Sequence, residues 1–356
     1  MDSRSWLVLQ PDPPELQLPD DLRARDPFGG RDCGWVAQMR PFARHYAAPG
    51  ARVFDPFCGF GTTLLAAALE GRAGCGLEID PARAELARER LRRHGVDAPI
   101  ATGSLPDTPA PAPFDLCLTN VPYFGCRWPG DGDARAGQLY LERDYEAYLQ
   151  RLRDLFHAVR GALPEGGYCI VMAQNLNLGG RSLPLAWDLA GILGGLLVAR
   201  EERLLCYERE PRTLASGDAG TDRSHEYALV FQKQRERICL DSTRDELQAL
   251  REAGFAFELY GSYPRWLADP GAREPADADL LLADDQAEFD RLLWWLHERH
   301  YRLSLWGEPL HPPLRLPRLS EHWYVRAQRR DRLGRLVRLD LSLAAQAQRQ
   351  AQAPVR

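Results

Sequence analysis

Apolar runs alternate with amphipathic stretches between residues 52 and 232. The runs predict strands at 52–55, 74–79, 98–102, 114–119, 168–173, 202–208 and 225–232. The stretches between them predict helices at 61–70, 81–94, 143–163 and 183–197. Strands that alternate with helices of this length predict a parallel sheet covered by helices on both faces. We therefore expect an α/β fold for this part of the chain.

A second, smaller unit of mixed α+β pattern is expected further along the chain. It has predicted helices at 243–253 and 284–300 and predicted strands at 255–260, 277–283, 302–307, 322–328 and 335–342. The last two strands read as a hairpin, and a charged linker precedes the unit. The expected organisation is an irregular N-terminal arm at 1–34, domains at 35–233 and 239–343 with a polar loop at 209–224, and a flexible tail at 344–356.

Length and composition support this division. The 356 residues are enough for two domains, and 45% of them are apolar. The sequence has no apolar run of membrane-spanning length, and its N-terminus is rich in Pro and Asp, so we expect a cytoplasmic protein without a membrane partner. The 8 cysteines include no CxxC pair, which favours reduced thiols.

The charge limits the kind of nucleic-acid contact that the chain can make. A net charge of −5 excludes a globally basic binder, so contacts with phosphates require a local patch. One candidate is the arginine-rich stretch at 315–338. Charge runs are usually solvated faces, which favours a structural interpretation of this stretch.

The sequence "DPFCGFGTT" at 55–63 lies between a predicted strand and a predicted helix. Gly59 and Gly61 let the backbone approach a ligand closely, because glycine has no side chain. Glu78 ends the next strand, where a carboxylate can accept both hydroxyls of a ribose. Asp55 precedes the glycines and would repel a pyrophosphate. This arrangement favours a cofactor with a positive end, such as S-adenosylmethionine (SAM).

A third motif lies in "DLCLTNVPYFG", where an apolar strand ends in Asn120-Val121-Pro122-Tyr123. It resembles the Asn-Pro-Pro-Tyr motif of the class I methyltransferases that modify exocyclic amines of DNA and RNA bases. The resemblance extends to "DPFCGFGTT", "GRAGCGLEIDPARAELARERL" and "RSHEYALVFQK" and covers about residues 35–233. It implies a Rossmann-like SAM-methyltransferase sheet with SAM as the cofactor.

The resemblance also implies residue roles. Because a conjugated amine is a poor nucleophile, Asn120 Oδ1 and the Val121 carbonyl would accept its protons and orient its lone pair. Pro122 and Tyr123 complete the motif, and Tyr123 would stack on a flipped-out base. Val121 replaces the usual proline, so this carbonyl loses a ring that fixes its direction. The expected cofactor-binding residues are Asp55, Phe57, Gly59, Gly61, Thr62, Glu78 and Asp107.

The second unit carries its own constellation of acids. Asp277 and Asp279 are two residues apart on a predicted strand and share a face, and Asp340 lies in an apolar strand where an unpaired charge is costly. With Gly261-Ser262, this resembles the nucleotidyltransferase superfamily that includes DNA polymerase beta. The resemblance implies Mg²⁺ on Asp277, Asp279 and Asp340, and a nucleoside triphosphate on Gly261, Ser262 and Arg265.

The leading hypothesis is a SAM-dependent N-methyltransferase that acts on an exocyclic amine of a base in DNA or RNA, fused to a nucleotidyltransferase-like domain. Three alternatives stay open at this point. The substrate could be a small molecule with an amine, amide or guanidine. The second unit could carry the main activity, moving a nucleotide to a hydroxyl. It could also be a silent module that presents substrate through residues 315–338.

Overall fold

The computed structural model describes residues 3–30, 32–125, 137–178, 180–208, 224–234, 236–305, 307–319, 324–331 and 333–344. The chain divides into two compact units, Met1–Gln234 and Arg235–Arg356. The polar loop expected at 209–224 and the tail expected at 344–356 lie outside the described residues, apart from one residue of each.

The first unit is built on an eight-stranded sheet. In the described residues of this unit the strands are β1 (Trp6–Leu9), β2 (Arg52–Asp55), β3 (Ala73–Glu78), β4 (Ile100–Thr102), β5 (Leu116–Asn120), β6 (Tyr168–Ala173), β7 (Leu176–Leu178), β8 (Arg181–Leu183), β9 (Val198–Tyr207) and β10 (His225–Gln232). The sheet order is β1-β9-β10-β6-β5-β2-β3-β4, while β7 and β8 form a separate hairpin. Strand β10 is antiparallel to β9 and β6, and the other neighbouring strands are parallel.

Helices cover both faces of this sheet. They are α1 (Asp20–Arg25), α2 (Val36–Tyr46), α3 (Thr62–Leu69), α4 (Pro81–Arg93), α5 (Tyr145–Ala162) and α6 (Leu185–Leu196). One core joins α5 and α6 to Phe54 and Cys117, and the other joins α2, α3 and α4 to Val53 and Leu118. Successive strand residues point to opposite faces, so each strand contributes to both cores. The predicted α/β fold with a largely parallel sheet is confirmed.

The N-terminal residues are more ordered than the sequence suggested. Strand β1 pairs in parallel with β9, with Trp6 opposite Leu204. The Asp12 carboxylate accepts hydrogen bonds from the backbone N–H groups of Val36 and Ala37 at the start of α2, with N–O distances of 2.5 and 2.8 Å. The partners of this segment are distant in sequence, which explains why its local Pro-rich pattern predicted an irregular arm.

The fully buried side chain of Arg90 on α4 joins this segment to the glycine loop. Its guanidinium donates hydrogen bonds to three neutral oxygens, Leu16 O at 2.7 Å, Thr62 Oγ1 at 3.0 Å and Phe60 O at 3.2 Å. A buried donor group of this size is tolerated only where it is hydrogen-bonded. Arg90 therefore holds the N-terminal segment, the loop and α4 in one arrangement.

The second unit has a six-stranded sheet. Its strands are β11 (Glu258–Tyr260), β12 (Ala278–Leu282), β13 (Arg302–Leu305), β14 (Glu308–Leu310), β15 (Val325–Arg330) and β16 (Leu336–Leu343), in the order β11-β12-β16-β15-β13-β14. Its helices are α7 (Leu240–Glu252), α8 (Ser262–Ala268), α9 (Gln286–Glu298) and α10 (Leu316–Leu319). Strands β12 and β16 are parallel and the other pairs are antiparallel.

Two further properties can be stated for the described residues. The seven cysteines among them are free thiols. None of the helices in these parts of the chain is both long enough and apolar enough to cross a membrane.

Arg90→Ala should lower the free energy of unfolding by about 3 kcal/mol, because buried carbonyl oxygens lose their hydrogen-bond donor and a cavity opens. Arg92→Ala, at an exposed position on the same helix, is the matched control and should change stability by less than about 0.5 kcal/mol. Urea denaturation of both variants measures the difference. Equal stabilities would show that Arg90 does not hold these segments together.

Candidate functional sites

The topology of the first sheet creates one preferred place for a ligand. The chain runs from β2 outward through β3 to β4, then returns to β5 on the other side of β2. In open α/β sheets, ligands bind beyond the carboxyl ends of the strands at such a reversal. Asp55, Glu78 and Asn120 are the last residues of β2, β3 and β5, which are neighbouring parallel strands. The structure therefore brings three predicted site residues to one sheet edge.

The glycine loop joins the ends of β2 and β3. Gly59 and Gly61 have φ angles of 49° and 76°, a region that favours glycine. The backbone N–H of Gly59 donates to Glu78 Oε2, and that of Asp80 donates to Glu78 Oε1, both at 2.9 Å. Burial raises the pKa of Glu78. Each carboxylate oxygen keeps a further acceptor site, so the arrangement fits a ligand with two neighbouring hydroxyls.

Asp55 is a buried acid held by uncharged donors. Its Oδ1 accepts hydrogen bonds from Thr119 Oγ1 at 2.6 Å and from the backbone N–H of Phe57 at 3.0 Å. Burial raises the pKa of Asp55 to about 6, against the effect of these hydrogen bonds. A cationic ligand would offset the cost of this buried negative charge. The site therefore fits SAM, whose reactive sulfur is positively charged.

Three other predicted cofactor residues differ in their surroundings. Phe57 is half-buried in the loop. The Thr62 hydroxyl accepts the hydrogen bond from Arg90, so it is part of the loop scaffold. Asp107 is exposed, five residues after the end of β4. Its role in cofactor binding stays a prediction.

The Asn120–Tyr123 segment follows β5 directly. Asn120 Oδ1 is buried and has no hydrogen-bond partner within the described parts of the chain. Tyr148 Oη on α5 donates to Pro122 O at 2.8 Å. This hydrogen bond restrains the turn in which Val121, itself buried, replaces the ring of the usual first proline. Asn120 thus presents an unsatisfied acceptor from a restrained turn.

Sequence reasoning missed the residues that hold Tyr123. The Tyr123 hydroxyl donates to Glu226 Oε1 at 3.2 Å, and Gln174 Nε2 donates to the same oxygen at 3.1 Å. Gln38 Nε2 donates to the other oxygen, Glu226 Oε2. Burial and the charge of Glu226 raise the pKa of Tyr123, so its hydroxyl keeps the proton that it donates. An acid in the apolar strand "HEYALVFQ" was the available signal, since a buried charge requires partners.

In the second unit, the three predicted acids lie close together. Asp279 on β12 is directly opposite Asp340 on β16. Burial raises the pKa of Asp279 to about 7, with further contributions from the negative charges of Asp277 and Asp340. Gly261 has a φ of 74°, and a Cβ there would lie 2.1 Å from Asp279 Oδ2. The Gly261-Ser262 turn and the acids therefore form one cluster.

An arginine lies against this cluster. Arg326 on β15 forms a bidentate pair with Asp340, at 2.9 Å from Nε to Oδ1 and 2.7 Å from Nη2 to Oδ2, and its Nη2 lies 3.7 Å from Asp277 Oδ2. Among the residues that the structure describes, no group of three or more His, Cys, Asp or Glu is arranged to hold a metal ion. In this arrangement Arg326 occupies the Asp340 carboxylate, so the three acids do not present an open site to a cation.

The arginine-rich stretch is extensively ion-paired. Five further arginines of the stretch contact acids: Arg318 with Glu308, Arg329 with Glu246, Arg330 with Glu236, Arg335 with Asp331 and Arg338 with Glu236. Paired guanidinium groups are less available to phosphates than unpaired ones. The structure therefore favours the structural interpretation of this stretch over a nucleic-acid patch.

Parts of this chain are similar in sequence to known proteins. Residues 36–89 match a family model described as DNA methylase. Over 131 residues the chain is 30% identical to tRNA (guanine(10)-N2)-dimethyltransferase of Methanothermobacter thermautotrophicus, covering 36% of this chain and 35% of that protein. The chain thus spans about a third of the length of this relative. These sequence matches support a SAM-dependent methyltransferase of class I.

Two solved structures resemble part of this chain at low sequence identity. The crystal structure of TrmN from Thermus thermophilus is 21% identical with a TM-score of 0.39, covering 57% of this chain and 50% of that one. The structure of precorrin 8w decarboxylase from Methanobacterium thermoautotrophicum is 18% identical with a TM-score of 0.38, covering 60% and 99% of the two chains.

Asp55→Asn should change the pH dependence of stability. Because the folded-state pKa of Asp55 is raised to about 6 from 3.8, its contribution to stability is present below pH 3.8 and lost as the pH rises through 6. The unfolding free energy of the variant relative to the wild type should therefore increase by about 2 kcal/mol from pH 4 to pH 7. Urea denaturation without cofactor measures it. Asp97→Asn, at an exposed position, is the control. The same pH dependence of the unfolding free energy in both variants would contradict the raised pKa of Asp55.

Proposed function

We propose that the first unit transfers a methyl group from SAM to an exocyclic amine of a base in nucleic acid. The observation that carries this proposal is Asn120 Oδ1, a buried acceptor that lacks a partner among the described residues and lies at the carboxyl end of β5. Buried acceptors are nearly always satisfied, so a donor on the substrate is the natural partner. The match to DNA methylase and the relative named for N2 of a tRNA guanine support a base amine as that donor.

The geometry of the loop supports roles for several of its residues in holding SAM. Glu78 would accept the ribose hydroxyls, Asp55 would face the positive end of the cofactor, and Gly59 and Gly61 would allow close approach of the backbone. SAM, when bound, supplies an electrophilic methyl group.

The substrate side uses different residues. Asn120 Oδ1 and the Val121 carbonyl would accept the two amine hydrogens, which frees the nitrogen lone pair from conjugation and orients it for in-line attack. Tyr123, whose hydroxyl is held by Glu226, would offer its ring to the base. Methylation of a small-molecule amine uses the same groups, so a substrate panel distinguishes the two cases.

Asn120→Ala should abolish methyl transfer, with a loss of about 1000-fold in kcat, and should leave SAM affinity within about twofold of the wild type. Glu78→Ala should show the complementary behaviour and weaken SAM binding by about tenfold or more. Calorimetry measures affinity, and labelled SAM with DNA, RNA and small amines measures transfer. Equal loss of affinity in both variants would assign Asn120 a structural role, and transfer to small amines alone would exclude a nucleic-acid substrate.

For the second unit we propose, as a second candidate, a nucleotidyltransferase-like module. The supporting observation is the convergence of Asp277, Asp279 and Asp340 beside the Gly261-Ser262 turn. Binding of Mg²⁺ and of a nucleoside triphosphate at this turn, with Arg265 as a further contact, belongs to this candidate. Arg265 Nε already donates to Gly261 O at 2.8 Å, which ties it to the turn. Cation binding by the acids would require Arg326 to leave the Asp340 carboxylate.

Arg326→Gln should make the second unit respond to metal, because it leaves three neighbouring carboxylates without their cation. Mn²⁺ or Mg²⁺ should raise the melting temperature of this variant by about 4 °C or more, and adding Asp279→Asn should remove the response. Arg330→Gln, at an exposed position, is the control. If scanning fluorimetry shows no response of Arg326→Gln to either metal, the metal-site hypothesis fails.

A further inference from the structure

Gln174 is buried beside Tyr123 and belongs to the same sheet edge as Asn120. It follows β6 by one residue, and Asn120 on the neighbouring strand β5 is aligned with Met172. Gln174 therefore lies two residues further along the adjacent parallel strand, beyond the carboxyl end of the sheet. Its side-chain amide is anchored at one end only, because Gln174 Oε1 has no hydrogen-bond partner in the described ranges.

Glu226 fixes the direction of this amide. A carboxylate can only accept, so the amide group that faces it must be the NH₂ of Gln174, which donates to Glu226 Oε1 at 3.1 Å. Tyr123 and Gln38 also donate hydrogen bonds to Glu226, so both carboxylate oxygens act as acceptors. Turning the amide would place two oxygens against each other. Gln174 is therefore held with its oxygen directed away from Glu226 as an acceptor.

Two acceptors at the carboxyl end of neighbouring strands can accept two donors from one ligand. Asn120 Oδ1 and Gln174 Oε1 are both buried, and each lacks a partner among the residues described. Asn177 Oδ1 and Gln138 Oε1 are unpartnered in the same sense. Gln174 differs from these two because a buried acid determines which of its ends is presented. The fold therefore determines that Gln174 presents its amide oxygen, and not its NH₂ group, on the side away from Glu226.

The bases differ in what lies next to the amine. In guanine, the exocyclic amine lies beside a ring N–H, which is a second donor. In adenine and cytosine, the amine lies beside a ring nitrogen that can only accept. A flipped base is read through hydrogen bonds of this edge, and an acceptor that faces another acceptor is left unsatisfied at considerable cost.

We propose that Gln174, oriented by Glu226, is a specificity-determining residue that accepts the ring N–H of guanine while Asn120 accepts its exocyclic amine. This inference rests on the proposed methyl transfer to a base and narrows it to guanine. Glu226 acts through Gln174 and Tyr123 and is a positioning residue.

The first experiment identifies the methylated nucleoside. The full chain is incubated with labelled SAM and with undermethylated total RNA or DNA, and the nucleic acid is then digested and analysed by mass. We expect the label in N2-methylguanosine or its deoxy form. Label in adenine or cytosine derivatives would overturn this inference and leave the methyltransferase proposal standing. Absence of label from every base would overturn both.

The second experiment tests Gln174 itself, with 2-aminopurine in place of the methylated guanine in an otherwise identical RNA or DNA fragment. This base keeps the amine and replaces the ring N–H by an acceptor. The wild type should prefer guanine by about 100-fold in kcat/KM, because the analogue would leave the buried Gln174 acceptor facing another acceptor and unsatisfied. Gln174→Met should reduce this ratio to within about threefold of unity while SAM affinity is retained.

Glu226→Gln tests the positioning role, because a glutamine at 226 lets the Gln174 amide turn. The ratio of kcat/KM for guanine to that for 2-aminopurine should fall at least tenfold. The value of kcat with guanine should fall by a smaller factor. Gln248→Met, at an exposed position in the second unit, should change neither quantity. A wild-type enzyme that methylates 2-aminopurine as well as guanine, or a ratio unchanged in Gln174→Met, would overturn the proposal.

Discussion

The first site depends on the hydrogen bond from the Gly59 backbone to the Glu78 carboxylate. This contact joins the ends of β2 and β3 through a backbone N–H in a turn whose two glycines have positive φ angles. The same turn leads into α3 and places Asp55 under the loop. Arg90 then fixes the outer side of the turn through Phe60 and Thr62. The positions of both acids are thus consequences of one tight connection.

The two units stabilise their buried acids in different ways. Asp55 and Glu78 are held by hydroxyl and backbone donors, which carry no full charge, so a cationic ligand still gains from entering. Asp340 is paired with a full positive charge on Arg326. A charged partner supplied by the fold itself reduces the gain from a second cation. The first arrangement is therefore open to a charged ligand, and the second is closed by its own side chain until Arg326 moves.

Sequence patterns predicted the features that are encoded by short, continuous stretches of the chain. The strand and helix positions of the first unit, the glycine turn and the acids at strand ends all follow from short stretches whose periodicity and residue types are specific. The pairing of β1 with β9 was not predicted, because its partners are separated by about 200 residues of chain. Glu226 was missed for a related reason. Its partners Gln38, Tyr123 and Gln174 come from three separate segments, and no spacing rule brings them together. The pairing of Arg326 with Asp340 was not predicted either, because nothing in the sequence distinguishes Arg326 from the other arginines of the stretch at 315–338.

The N-terminal strand has a consequence for the edge of the large sheet. Strand β1 is the outermost strand and pairs with four of the ten residues of β9, Leu204–Tyr207; without β1, the whole length of β9 would be an open edge. Such a long open edge is a template for pairing with other chains. The same segment supplies Asp12 to the start of α2. A chain shortened by its first dozen residues would therefore lose a helix cap and gain a self-associating edge, so its failure would be seen first as aggregation rather than as an altered active site.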